Sequence, residues 1–322
     1  MSYIAGGTTI RADINQALIE APTADVGLIG AELLPLQNVA AKAGTYLKVQ
    51  LAQADLLSNN SAARAAGSAF QRGIRSFSSS EYSTQEYGLE ELLDDGSVQD
   101  LSRFFSVESE TARFLLRQIK LGHEKRVSDL IWNATTPFTI ADLTPTVNYT
   151  NTNIATINVV KDVADAKLEL AKYGYEANCV ALSATVFQQI RRSTLLQNQF
   201  FGVISDTGAR LLSEQEVAAA LGVQKLLVGS AAINTANKGK AFSGSFVVPN
   251  SKIIVGQVAG GEFTAGGIGR TLVWAADAAG FVSESYRDEA RRSNVLRVRM
   301  NTDEVVIDPN AAVRITTNYS AS

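Results

Sequence analysis

A stretch from Tyr46 to about Glu90 that has little to bury runs directly into a helix pattern spanning Ser106 to Asn133, and this juxtaposition limits what the chain can become. The stretch contains SNNSAARAAGSAFQRGIRSFSSSEYSTQEY, whose large apolar side chains are few and scattered. Too little surface is available there to offset the entropy of ordering the segment by itself. It needs another surface to lie on, which points to assembly before chemistry.

The local patterns give this stretch a shape. Alternation through Tyr46, Leu47, Lys48, Val49, Gln50 and Leu51 puts three apolar residues on one face of a strand. A second extended segment returns from Ile74 to Leu89, and Asn59, Asn60, Ser61, Gly67 and Gly73 supply turn chemistry between the two. Together they predict a long hairpin with a polar tip. Residues 1–44 precede it as an arm with short helical turns, interrupted at Pro22 and Pro35, which lack a backbone donor.

The helix pattern has clear limits. Ser106 is placed to cap it, Glu108 and Glu110 sit in the first turns where the helix dipole favours anions, and no proline occurs before Pro137. Ala112, Leu115, Leu116, Ile119, His123, Val127, Leu130 and Ile131 form one apolar stripe, with Arg113, Arg117, Lys120, Glu124 and Asp129 expected elsewhere on the surface. A helix of 28 residues is a rod of about 40 Å, long enough to span a domain.

Beyond Thr152 the pattern alternates between helices (Ile157 to Tyr173, Ala184 to Arg192, Ser213 to Leu221) and short strands (Cys179 to Leu182, Lys225 to Val228, Ser245 to Val248, Lys252 to Gln257). SEQE at Ser213 is a capping box and Gly222 is the matching stop. From Gly280 long alternating strands take over, with Leu296, Val298 and Met300 facing one way and Arg297 and Arg299 the other. A turn is expected at Asn301 to Asp303. The fold class is α+β. At 322 residues, 46% of them hydrophobic and 19% charged, the chain is able to bury a substantial core in roughly two domains.

Few residues are candidates for chemistry. His123 is the one histidine and sits in the helix stripe, so a structural role outweighs a triad or metal role. Cys179, in ANCVALS, reads as a small buried hydrophobe, and a single cysteine excludes an intrachain disulfide framework. The Gly-rich run Val258 to Arg270 matches neither the dinucleotide nor the P-loop fingerprint and reads as a loop or tight turn. Asp94 and Asp95 polarise a turn rather than form an acid and base pair. No cofactor or metal is expected. A net charge of −3 gives no overall attraction to phosphate, no run reaches the ~18 apolar residues of a membrane span, and the start MSYIAGGTTIRADI has no signal-peptide pattern.

The remaining candidates are contacts between subunits. Arg64, Arg72 and Arg75 lie on the hairpin with Phe70, Phe77, Tyr82 and Tyr87, while Arg287, Arg291 and Arg292 lie in the late sheet near Asp288 and Glu289. Arginine beside exposed aromatic residues is typical of interface anchors. From these groups Arg64, Phe70, Arg72, Arg75, Phe77, Tyr82, Arg287, Glu289, Arg291 and Arg292 are the candidate contact residues.

The order of parts resembles the major capsid proteins of tailed double-stranded DNA bacteriophages with the HK97 fold. It consists of an arm, an extended loop, a long helix after LEELLDDGSVQDLSRFF, an α+β region containing ALSATVFQQIRR and LLSEQEVAAALGVQKLLVGSA, and a terminal VVIDPNAAVRITT. The resemblance implies an N-terminal arm (1–44), an extended loop (45–92) resting on the adjacent subunit, and a peripheral domain (93–156 and 275–308) with a spine helix (106–133). An axial domain (157–274 and 309–322) completes the division. It also implies a non-enzymatic homo-oligomer of pentamers and hexamers in a virion shell, assembled in the host bacterial cytoplasm. Packaged double-stranded DNA would be held without sequence-specific binding and without a membrane. A portal protein, a decoration protein and, unless none is needed, a separate scaffolding protein are the partners it brings. Some family members link a loop lysine to an asparagine of a neighbour; no lysine occurs between Lys48 and Lys120 here, so the grip is expected to be non-covalent. Two rival readings are an encapsulin-type nanocompartment shell and, more distantly, an α/β enzyme using the Gly-rich loop near Gly266 and Gly267 for a phosphate.

Overall fold

The computed structural model describes residues 9–14, 18, 27–48, 66–69, 78–102, 106–201, 211–237, 239–260, 266–275 and 280–319. In chain order its elements begin with β1 (Thr9–Ile10), α1 (Gly30–Leu33), β2 (Leu36–Val39), β3 (Ala43–Lys48), β4 (Ser78–Ser83), β5 (Gln85–Asp94), α2 (Asp95–Leu101) and the long helix α3 (Val107–Ser128). Next come α4 (Val159–Ala171), β6 (Cys179–Ser183), α5 (Ala184–Ile190), α6 (Thr194–Phe201), α7 (Glu214–Leu221), β7 (Lys225–Gly229), β8 (Ala232–Asn234), β9 (Gly244–Phe246) and β10 (Lys252–Gly256). β11 (Gly269–Trp274), β12 (Val282–Asp288), β13 (Ser293–Val306) and β14 (Ala312–Thr316) complete the order.

The 14-residue strand β13 organises the larger sheet. Along one edge it pairs with β12 through Ser293 to Arg299 and with β11 through Thr302 to Val306; along the other it pairs with β5 from Ser293 to Thr302. β1 and β2 extend the sheet outward from β12 and β11. The turn expected at Asn301 to Asp303 is not formed. Asn301 and Thr302 are buried in the middle of β13, and the Asp303 carboxylate accepts the Ser83 N–H at 2.9 Å, so the polar residues that suggested a turn are used inside the sheet. The reversal lies earlier, at Glu289 to Arg292, where Arg292 takes a left-handed φ of 49°.

Alternation along β13 sorts its side chains. Leu296, Val298 and Met300 pack under α3 against Ala112, Leu115, Leu116 and Ile119. Arg297 and Arg299 project from the opposite face, where Arg297 reaches Glu90 at 2.9 Å and Arg299 reaches Glu284 at 2.9 Å. The polar side of this sheet is thus an ion-pair ladder.

The hairpin legs are found at β3 and β4, paired from Ala43↔Ser83 to Lys48↔Ser78. The returning strand was expected to run on to Leu89, but it changes partner. At the foot of the ribbon Thr84 gives both its N–H and its hydroxyl to the Lys42 carbonyl, and from Gln85 the chain joins β13 as β5.

The smaller sheet, β14-β10-β6-β7, is covered on both faces. Val180 and Leu182 of β6 face a core built on α4, α5 and α7, while Cys179 and Ala181 face a second core with the end of α3. β6 and β7 run parallel, joined through α5, α6 and α7, as a parallel pair requires. The expected capping box on α7 is present, with Gly222 at φ 60° ending the helix. The strand expected over Ser245 to Val248 is found at Gly244–Phe246; Val247 still donates its N–H to the Ala231 carbonyl at 2.9 Å, and Val248 turns into the second core.

The long helix departs from expectation at three points. Ser106 does not cap the helix amides; its hydroxyl instead donates to the Ser109 hydroxyl at 3.1 Å. The regular helix stops at Ser128 and a π turn, Asp129–Asn133, follows. A π turn takes up an extra residue and resets the helix phase, which delivers Ile131 and Trp132 into the second core. Glu124, expected on the surface, is buried; its carboxylate accepts the N–H groups of Ile29 and Gly30 and so caps α1. Burial holds its pKa above the usual carboxylate range.

Two arginines, one partly and one fully buried, join the parts. Arg126 forks onto Glu304 of β13 with both contacts at 3.0 Å, stacks its guanidinium 3.6 Å from the Tyr87 ring centre, and also reaches the Thr302 hydroxyl. His123 lies beside this fork, its Nε2 3.0 Å from the Thr271 hydroxyl and 3.7 Å from Glu304. Burial outweighs the pull of Glu304 and lowers the imidazole pKa to about 4. At the far end Arg314 of β14 donates to the carbonyls of Ala134 and Thr135 at 2.7 and 2.9 Å and to Asp142 at 2.6 Å. It closes the end of the π turn that the helix itself leaves unsatisfied.

Two outcomes are expected. Arg314→Leu removes the donor to the Ala134 and Thr135 carbonyls and leaves Asp142 paired with Lys252 alone, 3.0 Å away, and lowers stability by about 2 kcal/mol in denaturant unfolding of unassembled protein. His123 stays neutral in the folded chain while the unfolded chain takes up a proton below pH 6.5, so its contribution is intact above pH 6.5 and is lost progressively down to about pH 4. The shift from 6.5 to about 4 corresponds to about 3 kcal/mol. His123→Gln, compared with wild type in unfolding curves at pH 7 and pH 4, should show that much less acid destabilisation.

Candidate intersubunit surface

Four of the expected contact residues are brought together by the turn between β12 and β13. Arg287 makes a fork onto Asp95 at 2.5 and 2.6 Å, which holds the Asp95 carboxyl below its usual range and raises the guanidinium in turn. Glu289 lies 3.6 Å from Arg287 and is 83% exposed, Arg291 is 66% exposed with Asp288 at 3.7 Å, and Arg292 makes the left-handed turn beside them. The cluster is a charged, exposed corner whose ion pairs are already made within the chain. Exposed pairs of this kind add little stability.

Tyr82 lies apart from this corner. It packs beside Val39 and Tyr46 at the ribbon foot and donates its hydroxyl to the Ala41 carbonyl at 3.2 Å, which ties the ribbon to the larger sheet. Arg64, Phe70, Arg72, Arg75 and Phe77 lie outside the described residues.

A second exposed feature was not among the expected contact residues. Among the described residues β5 pairs with β13 alone, and no described strand lies on its other edge, which is open in that sense. Leu89 and Leu92 on it are 44% and 46% exposed. Its sequence, QEYGLEELLD, alternates poorly, which concealed that only Leu93 is fully buried. The polar residues at the joins of the fold were also missed. Arg314 interrupts an otherwise apolar strand, AVRIT, and that interruption was the available signal.

Groups that would serve catalysis are committed to packing. Cys179 is buried, and burial pushes its thiol up to about 12, so the reactive thiolate is suppressed. Gly266 and Gly267 have φ of 68° and 111°, and a side chain at Gly267 would lie 2.7 Å from the Ala259 nitrogen. The glycine there serves a close backbone approach. A cavity of about 300 Å³ between α1 and α3 is lined by Leu28, Leu36, Leu116 and Phe281, with Glu124 at its wall already bound to backbone amides. Among the described residues no group of three or more His, Cys, Asp or Glu side chains converges as a metal site would need, and no helix is long and apolar enough to cross a membrane.

No family model and no curated protein matches the sequence. Solved structures match along nearly its whole length. A phage-related protein from Bordetella bronchiseptica is 19% identical with a TM-score of 0.71, covering 97% of this chain and 98% of that one. The capsid of the cyanophage P-SCSP1u is 12% identical with a TM-score of 0.56, over 90% and 87% of the two chains. An encapsulin complex from Synechococcus elongatus is 15% identical with a TM-score of 0.51, over 96% of each chain. This chain, with its six-stranded sheet backed by one long helix and its four-stranded sheet covered on both faces, thus has the α+β fold of HK97-like shell proteins.

Proposed function

We propose that the chain is the major capsid protein of a tailed double-stranded DNA bacteriophage and acts structurally, without catalysis. Copies assemble through pentamers and hexamers into an icosahedral head. The observation that carries this reading is the likeness over nearly the full length of both chains to a phage-related protein and a phage capsid. The β3–β4 ribbon supports it as well. Among the described residues it meets the larger sheet at its foot, around Val39, Tyr46 and Tyr82, and it leads into residues 49–77, whose composition offers little to bury.

In this reading residues 1–44 are an arm, and the extended loop, expected over 45–92, is drawn back to 45–84 because β5, Gln85–Asp94, pairs with β13 in the larger sheet. Residues 85–156 with 269–308 then form the peripheral unit, which takes in β11 because it too pairs with β13, and 157–268 with 309–322 form the axial unit. The loop grips a neighbour without covalent linkage, since no lysine stands between Lys48 and Lys120. Many weak contacts then add up by multivalency. The shell encloses DNA without reading its sequence, assembles in the host bacterial cytoplasm, and works with a portal protein, a decoration protein and any separate scaffolding protein.

Electron microscopy of the purified protein tests the assembly. Closed shells or ring-shaped capsomers are expected, and a uniform monomer at high concentration would overturn the reading. Shells that carry a protein cargo in place of DNA would assign the chain to the nanocompartments. Deleting Ala62 to Ser76 is expected to leave circular dichroism and melting of the core unchanged while abolishing shell closure.

A further inference from the structure

The charges around the ribbon are segregated in sequence. Residues 56–80 contain Arg64, Arg72 and Arg75 and no acidic residue, and residues 81–95 contain Glu81, Glu86, Glu90, Glu91, Asp94 and Asp95 and no basic one. The structure shows which of these acids are already used. Glu90 is held by Arg297, Asp95 by Arg287, and Asp94 caps α2 through the N–H groups of Gly96 and Ser97. Glu86 and Glu91 are exposed on β5, and among the described residues neither meets a cation.

These two carboxylates stand on an open strand edge, and the edge has a two-residue period. Side chains of one parity, Glu86, Glu90 and Leu92, share a face with Arg297; those of the other, Leu89 and Glu91, share the face of Tyr87 under α3. Each face of the edge therefore offers one uncommitted carboxylate and one half-exposed leucine. The segment FQRGIRSF, residues 70–77, has the complementary period: Phe70, Arg72 and Ile74 fall on one parity and Arg75 and Phe77 on the other. Each of its faces offers one guanidinium with at least one large apolar side chain.

We propose that the open edge of β5 receives residues 70–77 of a second copy of this chain as an added strand, with Arg72 and Arg75 meeting Glu86 and Glu91. Main-chain hydrogen bonds supply the attachment and the alternating side chains set its register, as in other cases of strand addition. The acids also keep two β5 edges apart, so the edge is closed to its own kind and open to a basic strand. This rests on the shell reading above and names the surface that the loop occupies.

The test reverses charge on each side in the full-length chain. E86R/E91R and R72E/R75E are each expected to lose shell formation at least tenfold by light scattering and electron microscopy, with wild-type melting of the unassembled chain. The fourfold swap, E86R/E91R/R72E/R75E, should restore shells. Shells formed normally by either double variant, or a folded swap that stays unassembled, would overturn the inference and leave the shell reading standing. A wild-type chain that never assembles would overturn both. A second measurement reads proximity directly: in E91C/R75C, with Glu86 and Arg72 left in place, oxidation of the assembled protein should give disulfide-linked multimers on a non-reducing gel. A disulfide confined to single chains would show that the segment docks on its own subunit and would overturn the proposal.

Discussion

The fork between Arg126 and Glu304 is where the long helix, the long strand and the edge strand meet, and most of the architecture follows from it. Glu304 has a side chain only 8% exposed, a placement that would be costly for a lone carboxylate. It is tolerated because both oxygens are engaged by one guanidinium, with Thr302 adding a further hydrogen bond. The same guanidinium lies on the Tyr87 ring of β5. A slip of β13 by one residue would break this fork. It would also exchange Leu296, Val298 and Met300 with Arg297 and Arg299, driving guanidiniums beneath α3. Polar geometry and apolar alternation therefore specify the same register.

One rod serves two cores, and its changes of regularity mark the passage between them. Over Ala112 to Ile119 the helix stripe covers the larger sheet. The regular helix already reaches the second core, that of the smaller sheet, at Val127, and the π turn that follows brings both Ile131 and Trp132 into it. The carbonyls freed there are taken by Arg314, and the Trp132 indole donates to the Lys252 carbonyl at 3.2 Å. Helix end, β10 and β14 become one unit. Relative movement of the two sheets would have to break buried hydrogen bonds, so the long helix acts as a rigid strut.

Much of this was legible in the sequence where a single physical rule applied. The α+β class, the stripe on α3, the capping box of α7, the buried strand around Cys179 and the polar face of β13 all follow from periodicity and capping. What was hidden depends on partners distant in sequence. Glu124 looks like any helix-surface acid until α1 brings the Ile29 and Gly30 amides to it. Asn301 and Asp303 are turn formers by type, but flanking strands on both edges of β13 and the Ser83 amide hold them extended. The strand after Thr84 changes partner because Lys42 closes the ribbon there, a contact across about 40 residues that no local pattern encodes. Of the candidate contact residues, the corner at Arg287, Glu289, Arg291 and Arg292 was legible as a charged cluster, whereas its internal pairing with Asp95 was not.

That internal pairing bears on how such a subunit associates. On the outer face of the larger sheet Glu90, Arg297, Glu284 and Arg299 neutralise one another in a row, and at the corner Arg287 is spent on Asp95. A face whose charges are matched internally gains little from an opposing charge and still has to be desolvated on contact. The places with something to gain are those left unmatched: strand edges with open amides and carbonyls, and segments that cannot bury themselves. A chain that kept both would risk pairing with any extended peptide, and charge on the edge limits that risk at small cost to a specific partner of opposite sign. The sparse apolar content of residues 49–77 and the open, acidic β5 are thus two halves of one constraint: each is unfavourable in an isolated subunit, and each is relieved by a neighbour that carries the other.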